Sequence, residues 1–86
     1  MKIEIEIPDY DGNALDVIWD HGGKYTIVNL GNDVIIKANE KGLISLAKQM
    51  LYIALNDLPE GSHVHYNSFF TCITDSLHEL IIEKIE

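Results

Sequence analysis

The sequence predicts an α+β fold, in which an antiparallel or mixed sheet of about six strands carries one long helix packed across it. Apolar and polar residues alternate before residue 39, recur with a helical period up to residue 56, and alternate again near the C-terminal end. The resulting element order is β-β-β-β-α-β-β. A chain of 86 residues has room for one hydrophobic core, so we expect a single domain over residues 1–86.

Four strands are predicted before the helix, at residues 2–7, 14–20, 25–30 and 34–38. In the first two, every second residue is apolar, which is typical of a strand with one face on the core and the other in water. The last two are rich in β-branched residues, and turns separate the strands. Trp19 lies on the apolar face of its strand, so we expect it to pack in the core.

The helix is predicted to begin after Asn39, a good N-cap residue, and to end near Asn56. Its polar residues fall within an arc of roughly 100°, and apolar residues occupy the rest of the circumference. Tyr52 lies in the middle of this polar arc, so we expect an exposed aromatic side chain that a partner could contact. The arc consists of Lys41, Ser45, Lys48, Gln49, Tyr52 and Asn56.

The apolar part of the helix is wider than packing on one sheet requires. We expect loops or the ends of the sheet to cover the excess, with a homodimer as the alternative. Two strands follow the helix, at residues 63–66 and 78–85. In the first, Val64 and Tyr66 are expected on the core, and the apolar run at residues 80–82 predicts burial on both faces of the second.

The charge of the chain restricts its partners. Six Lys, no Arg and 14 acidic residues give a formal net charge of −8, so we expect binding neither to nucleic acids nor to anionic membranes. The same charge would favour association with a basic protein. The chain shows no signal peptide, no run of 18 apolar residues and a single Cys, which predicts a cytoplasmic protein.

His63 and His65 form the one constellation in which a ligand site can be argued. Side chains two apart on a strand point to the same face, so the two imidazoles could bind a metal or a small ligand. Zinc requires at least one further ligand, and the candidates are Cys72, Asp75, His78 and Glu79. The competing interpretation is a pair of solvent-facing histidines, and we expect no cofactor.

Catalytic residues are not predicted. Cys72 lies in a mostly apolar context, which is more typical of a buried thiol than of a nucleophile. The paired acids alternate with apolar residues, so they mark exposed faces and turns, whereas acid–base catalysis needs a carboxylate in a pocket. The sequence therefore favours a non-enzymatic protein.

Three segments carry a resemblance to a known family: residues 38–47, 61–66 with their Gly-x-His-x-His pattern, and 79–83. Over residues 34–85 the chain resembles the immunity protein 32 family, small antidotes encoded beside bacterial polymorphic toxins. The resemblance implies a protein that binds a cognate toxin and blocks it without catalysis. We predict His63, His65, Tyr52 and Glu60 as contacts to that partner, with a small metal- or ligand-binding domain centred on the two histidines as the alternative function.

Overall fold

A computed structural model describes residues 1–66, 72–73 and 80–86 of the chain. These residues form one helix and five strands, so the α+β class is confirmed. The elements are β1 (Lys24–Leu30), β2 (Asp33–Ala38), α1 (Glu40–Leu55), β3 (His63–Tyr66), β4 (Cys72–Ile73) and β5 (Leu80–Glu83).

The strands belong to two small sheets, and the predicted six-stranded sheet is wrong. β1 and β2 form an antiparallel hairpin, and the two residues of β4 pair in parallel with the start of β1. β3 and β5 form a separate antiparallel pair in which Val64 lies opposite Ile82. The described strands are therefore too few and too short to form the single sheet on which the helix was expected to pack.

The two strands predicted before residue 21 are not formed, and regular secondary structure begins only at Lys24. For the second of these strands, the reason lies in the hydrogen bonds of residues 8–20, which we call the N-terminal segment. Its backbone groups pair with side chains of α1 and Asn56 instead of with a neighbouring strand. A strand needs a backbone partner, and here the helix supplies that partner through its side chains.

Asn39 connects the start of α1 to the start of the β1–β2 hairpin. Its Oδ1 accepts hydrogen bonds from the backbone N–H groups of Gly42 and Lys24, both at 2.9 Å, and its Nδ2 donates to the carbonyl of Gly22 at 3.0 Å. The predicted N-cap is confirmed. Gly42 then lies so close to β1 that an added Cβ would overlap the carbonyl oxygen of Lys24.

The orientation of α1 differs from the predicted one. Three residues of the polar arc, Ser45, Gln49 and Tyr52, are completely buried, beside the apolar residues Leu46 and Ile53, which lie in the core as expected. The opposite side, which we call the apolar face of α1, is exposed. It consists of Leu43, Ile44, Ala47, Met50, Leu51, Ala54 and Leu55, and the exposed fraction of its large side chains ranges from 37% at Leu51 to 70% at Leu55. In the part of the chain that the structure describes, this surface is left exposed, so the expected cover by loops or sheet ends is not found there.

An aromatic cluster forms the centre of the core. The ring centroid of Trp19 lies 5.2 Å from that of Tyr25 and 5.6 Å from that of Tyr66. Both pairs are tilted, an arrangement that aromatic rings prefer. Trp19 is partly buried against this core, as predicted, and its indole N–H donates to the carbonyl of Gly23 at 3.2 Å. The buried hydrophobic residues are Tyr25, Ile27, Leu46, Tyr52, Ile53, Leu58, Val64 and Tyr66.

The strand pair β3–β5 covers the core with one face. Val64 and Tyr66 are buried while His63 and His65 are exposed, which confirms the predicted alternation. Ile81 is half exposed, so burial on both faces of β5 is wrong; the strand alternates like its partner β3. Among residues 1–66, 72–73 and 80–86, no helix has the length and apolarity needed to cross a membrane.

Candidate partner-binding surfaces

The polar side of α1 holds the N-terminal segment through a series of hydrogen bonds. The backbone N–H groups of Asp16, Ile18 and Asp20 donate to Tyr52 Oη (3.2 Å), Gln49 Oε1 (2.6 Å) and Ser45 Oγ (2.9 Å), respectively. Two residues of extended chain advance about 6.7 Å, close to the 4.5–6 Å that three or four residues advance along a helix. Every second N–H group therefore meets the next polar side chain on α1.

Gln49 is the centre of this arrangement. Its Oε1 accepts from the backbone of Ile18 and lies 2.7 Å from the hydroxyl of Tyr66, while its Nε2 donates to the carbonyl of Asp16 at 3.1 Å. A buried amide is tolerated in a core only when its donors and acceptors are paired, and Gln49 satisfies this condition. The hydrogen bonds therefore fix which side of α1 faces the core.

Tyr66 extends the network to β3. Its hydroxyl lies between two acceptors, the carbonyl of Ile18 at 2.9 Å and Gln49 Oε1. Burial raises the pKa of this hydroxyl above its ordinary value, and the nearby Tyr25 raises it further. The hydroxyl therefore keeps its proton and remains a hydrogen-bond donor at neutral pH.

A groove runs along the exposed side of α1. It has a volume of about 660 Å³ and lies between residues 3–6 and the helix residues Leu43, Ile44, Ala47 and Lys48. Most of its lining is apolar and includes Ile3, which is 69% exposed. The groove therefore continues the apolar face of α1 toward the N-terminal end of the chain.

The charged groups at this groove are predominantly acidic. Glu4 and Glu6 line it and are exposed. Lys48 also lines it, but its ammonium group lies 3.4 Å from a carboxylate oxygen of Asp20, so its charge is partly compensated. An apolar surface bordered by carboxylates is suited to a partner that offers apolar side chains together with cations.

His63 and His65 form a second exposed group, on the solvent-facing side of β3. Their ring centroids lie 4.8 Å apart, edge to face. Nδ1 of His63 lies 2.8 Å from the carbonyl oxygen of Gly61 and 3.8 Å from a carboxylate oxygen of Glu83. The first contact occupies one of the two nitrogens with which His63 could bind a metal.

The predicted further ligands do not complete a metal site in the part of the chain that the structure describes. There, no group of three or more His, Cys, Asp or Glu side chains is placed to hold a metal ion. Cys72 belongs to β4, whereas Asp75, His78 and Glu79 lie outside the described residues. The two histidines alone provide fewer ligands than a structural or catalytic zinc requires.

The four predicted partner contacts fall into two groups. His63, His65 and Glu60 are exposed. The expected exposure of Tyr52 is wrong, because its side chain is completely buried and its hydroxyl accepts a hydrogen bond from Asp16. The apolar face of α1 is a further exposed surface, which was expected to be covered; the excessive width of the apolar arc is its signal in the sequence.

Comparison with known proteins gives one positive result. No curated protein and no solved structure matches the chain. The family model described as Immunity protein 32 matches residues 33–85, a range that contains β2, α1 and the strands that follow, and that exceeds half of the chain. The chain therefore belongs to the immunity protein 32 family.

Proposed function

We propose that this protein binds and neutralises a cognate bacterial toxin in the cytoplasm, without catalysing a reaction. The observation that carries the proposal is the family match over residues 33–85. An immunity protein of this kind acts by occupying a surface of its target, so it needs shape and charge complementarity more than a catalytic pocket. The exposed apolar and acidic surfaces described above are of the type that such binding uses.

The net charge supports a basic toxin as the partner. A chain with a formal charge of −8 attracts a positively charged protein over roughly the Debye length, about 8 Å at physiological salt. This attraction accelerates encounter, which matters for an antidote because the toxin must be captured before it acts. We therefore propose a partner rich in Lys or Arg.

Individual contacts are also proposed on the solvent-facing side of β3 and in the turn before it. Glu60, His63 and His65 are exposed next to one another in the sequence, and each can form polar contacts with a protein. Tyr52 is buried, so it is not proposed as a contact. Its proposed role is to hold the N-terminal segment in place through Asp16.

The direct test is neutralisation of the toxin encoded beside this chain. Expression of the toxin domain alone should arrest bacterial growth, and co-expression of this chain should restore it. A catalytically inactive toxin domain should bind the purified chain tightly, with an affinity that falls at least about tenfold between low and high salt, because several ion pairs are screened. Continued growth arrest, or weak binding at every ionic strength, would contradict the proposal.

A further inference from the structure

We infer that the apolar face of α1, together with residues 3–6, is the surface that receives the toxin, and that it receives an apolar segment flanked by Lys or Arg. This inference rests on the proposed function. It adds the docking surface and the chemistry of the segment that docks there. The residues concerned are other than Glu60, His63 and His65.

The apolar face of α1 is exposed along its length. It extends from Leu43 to Leu55 with Lys48 at its border, and Leu43 and Met50 are about half exposed. The stretch is about 18 Å long at the helical rise. A continuous apolar surface of this kind is unfavourable in water, and in soluble proteins it marks an interaction site. Its length matches an amphipathic helix or an extended segment of a partner.

Charge complementarity identifies the occupant. Glu4 and Glu6 line the groove beside the apolar face, and Glu40 is exposed at the start of the helix. The cation at the groove, Lys48, is already paired with Asp20. Basic residues on either side of an apolar segment would meet these carboxylates. A second copy of this chain would instead bring the same carboxylates and another net charge of −8 to the interface, and such repulsion disfavours pairing.

The surface is held in place before binding. On the other side of α1, Ser45, Gln49 and Tyr52 fix the helix to the N-terminal segment through partly buried hydrogen bonds. The helix therefore has little freedom to rotate its apolar side into the core. A surface that is already ordered loses less entropy on binding, which favours tight association.

The experiment measures binding of the catalytically inactive toxin domain to five forms of the full chain: the wild type, the three double variants described next, and His63→Ala with His65→Ala. The first variant, Leu43→Gln with Met50→Gln, removes apolar contacts from the face. Its matched control, Leu30→Gln with Val34→Gln, makes the same kind of change at two exposed positions of the β1–β2 hairpin. The third variant, Glu4→Gln with Glu6→Gln, removes charge at the groove. Melting curves verify that each variant is folded.

We expect the face variant to bind at least about tenfold more weakly than the wild type, since core contacts of an interface carry most of its affinity. The hairpin control should stay within about twofold of the wild type. The groove variant should show a smaller loss, about threefold, together with a weaker dependence on salt. This pattern would support the inference.

Three results would overturn it, and they are distinguishable. Absence of binding by the wild type removes the proposed function and the docking surface together. If the wild type binds tightly and the face variant binds equally well, only the docking surface is removed. In that case, a loss confined to His63→Ala with His65→Ala would transfer the site to β3. Sedimentation showing a wild-type dimer that the face variant converts to a monomer would assign the face to a second copy.

Discussion

The two sides of α1 depart from the usual pattern of a helix in a globular protein. The buried side combines the polar residues Ser45, Gln49 and Tyr52 with the core residues Leu46 and Ile53, whereas the apolar face, from Leu43 to Leu55, is exposed. Burial of apolar area normally determines orientation, at about 25 cal/mol per Å². Here the adjoining chain has backbone groups that need partners, and the polar side of α1 provides them. Hydrogen bonding to the backbone can therefore direct polar side chains of a helix toward the core while apolar ones stay exposed.

Among substitutions that test this difference between the two sides of α1, we expect the largest effect from Gln49→Met. Methionine has a similar shape but cannot pair with the backbone of Asp16 and Ile18, so two partly buried backbone groups lose their partners. Because each unsatisfied group costs about 1–3 kcal/mol, we expect the free energy of unfolding to fall by about 3 kcal/mol. Urea denaturation followed by circular dichroism measures it. A loss below about 1 kcal/mol would mean that these hydrogen bonds do not determine the orientation of α1.

A smaller effect is expected from Gly42→Ala, at the point where the buried side of α1 meets β1. Helix propensity alone predicts a gain of about 1 kcal/mol from this change. The added methyl group would overlap the carbonyl oxygen of Lys24, so we expect a net loss of about 2 kcal/mol instead. The sign of the change, read from thermal or urea unfolding, is decisive. A more stable variant would show that α1 does not approach β1 this closely.

The smallest effect is expected from Met50→Gln. This change places a glutamine, the residue found at the buried position 49, at the exposed position 50. Met50 is about half exposed, so the glutamine amide stays in water and the free energy of unfolding should change by less than about 0.5 kcal/mol. Together with Gln49→Met, this variant exchanges the same two side chains between the two sides of α1. A loss comparable to that of Gln49→Met would show that the apolar side is covered in the folded protein.

Local patterns predicted the elements whose structure depends on local interactions. The Asn39 cap, α1 and the alternation of β3 all follow from spacing and residue type, and the structure confirms them. The period of two between residues 14 and 20 was also meaningful, since alternate N–H groups of that stretch share one partner surface. Its identity as a strand was wrong because alternation does not specify whether the partner is another strand or a row of side chains.

The candidate site was predicted less completely than the fold. Family resemblance over residues 34–85 is confirmed by the match over 33–85, and the exposure of His63 and His65 follows from the alternation of β3. The exposure of Tyr52 was wrong because a polar arc is normally the solvent side of a helix. Only the tertiary hydrogen bonds, which join residues far apart in the chain, reveal that this arc faces inward. The roles of Glu60 and the histidines in binding stay predictions.

The attachment of the N-terminal segment to α1 also sets an order of events during synthesis. Tyr10 leaves the ribosome 46 residues before its partner Asn56, and Asp16 precedes Tyr52 by 36. At 5–20 residues per second, the first of these intervals is about 2 to 9 seconds. During that time the segment has no helix to bind, and neither it nor the preceding Ile3, Ile5 and Ile7 can be placed in the final fold. Folding of this chain therefore waits for its helix, although the segment that the helix secures is made first.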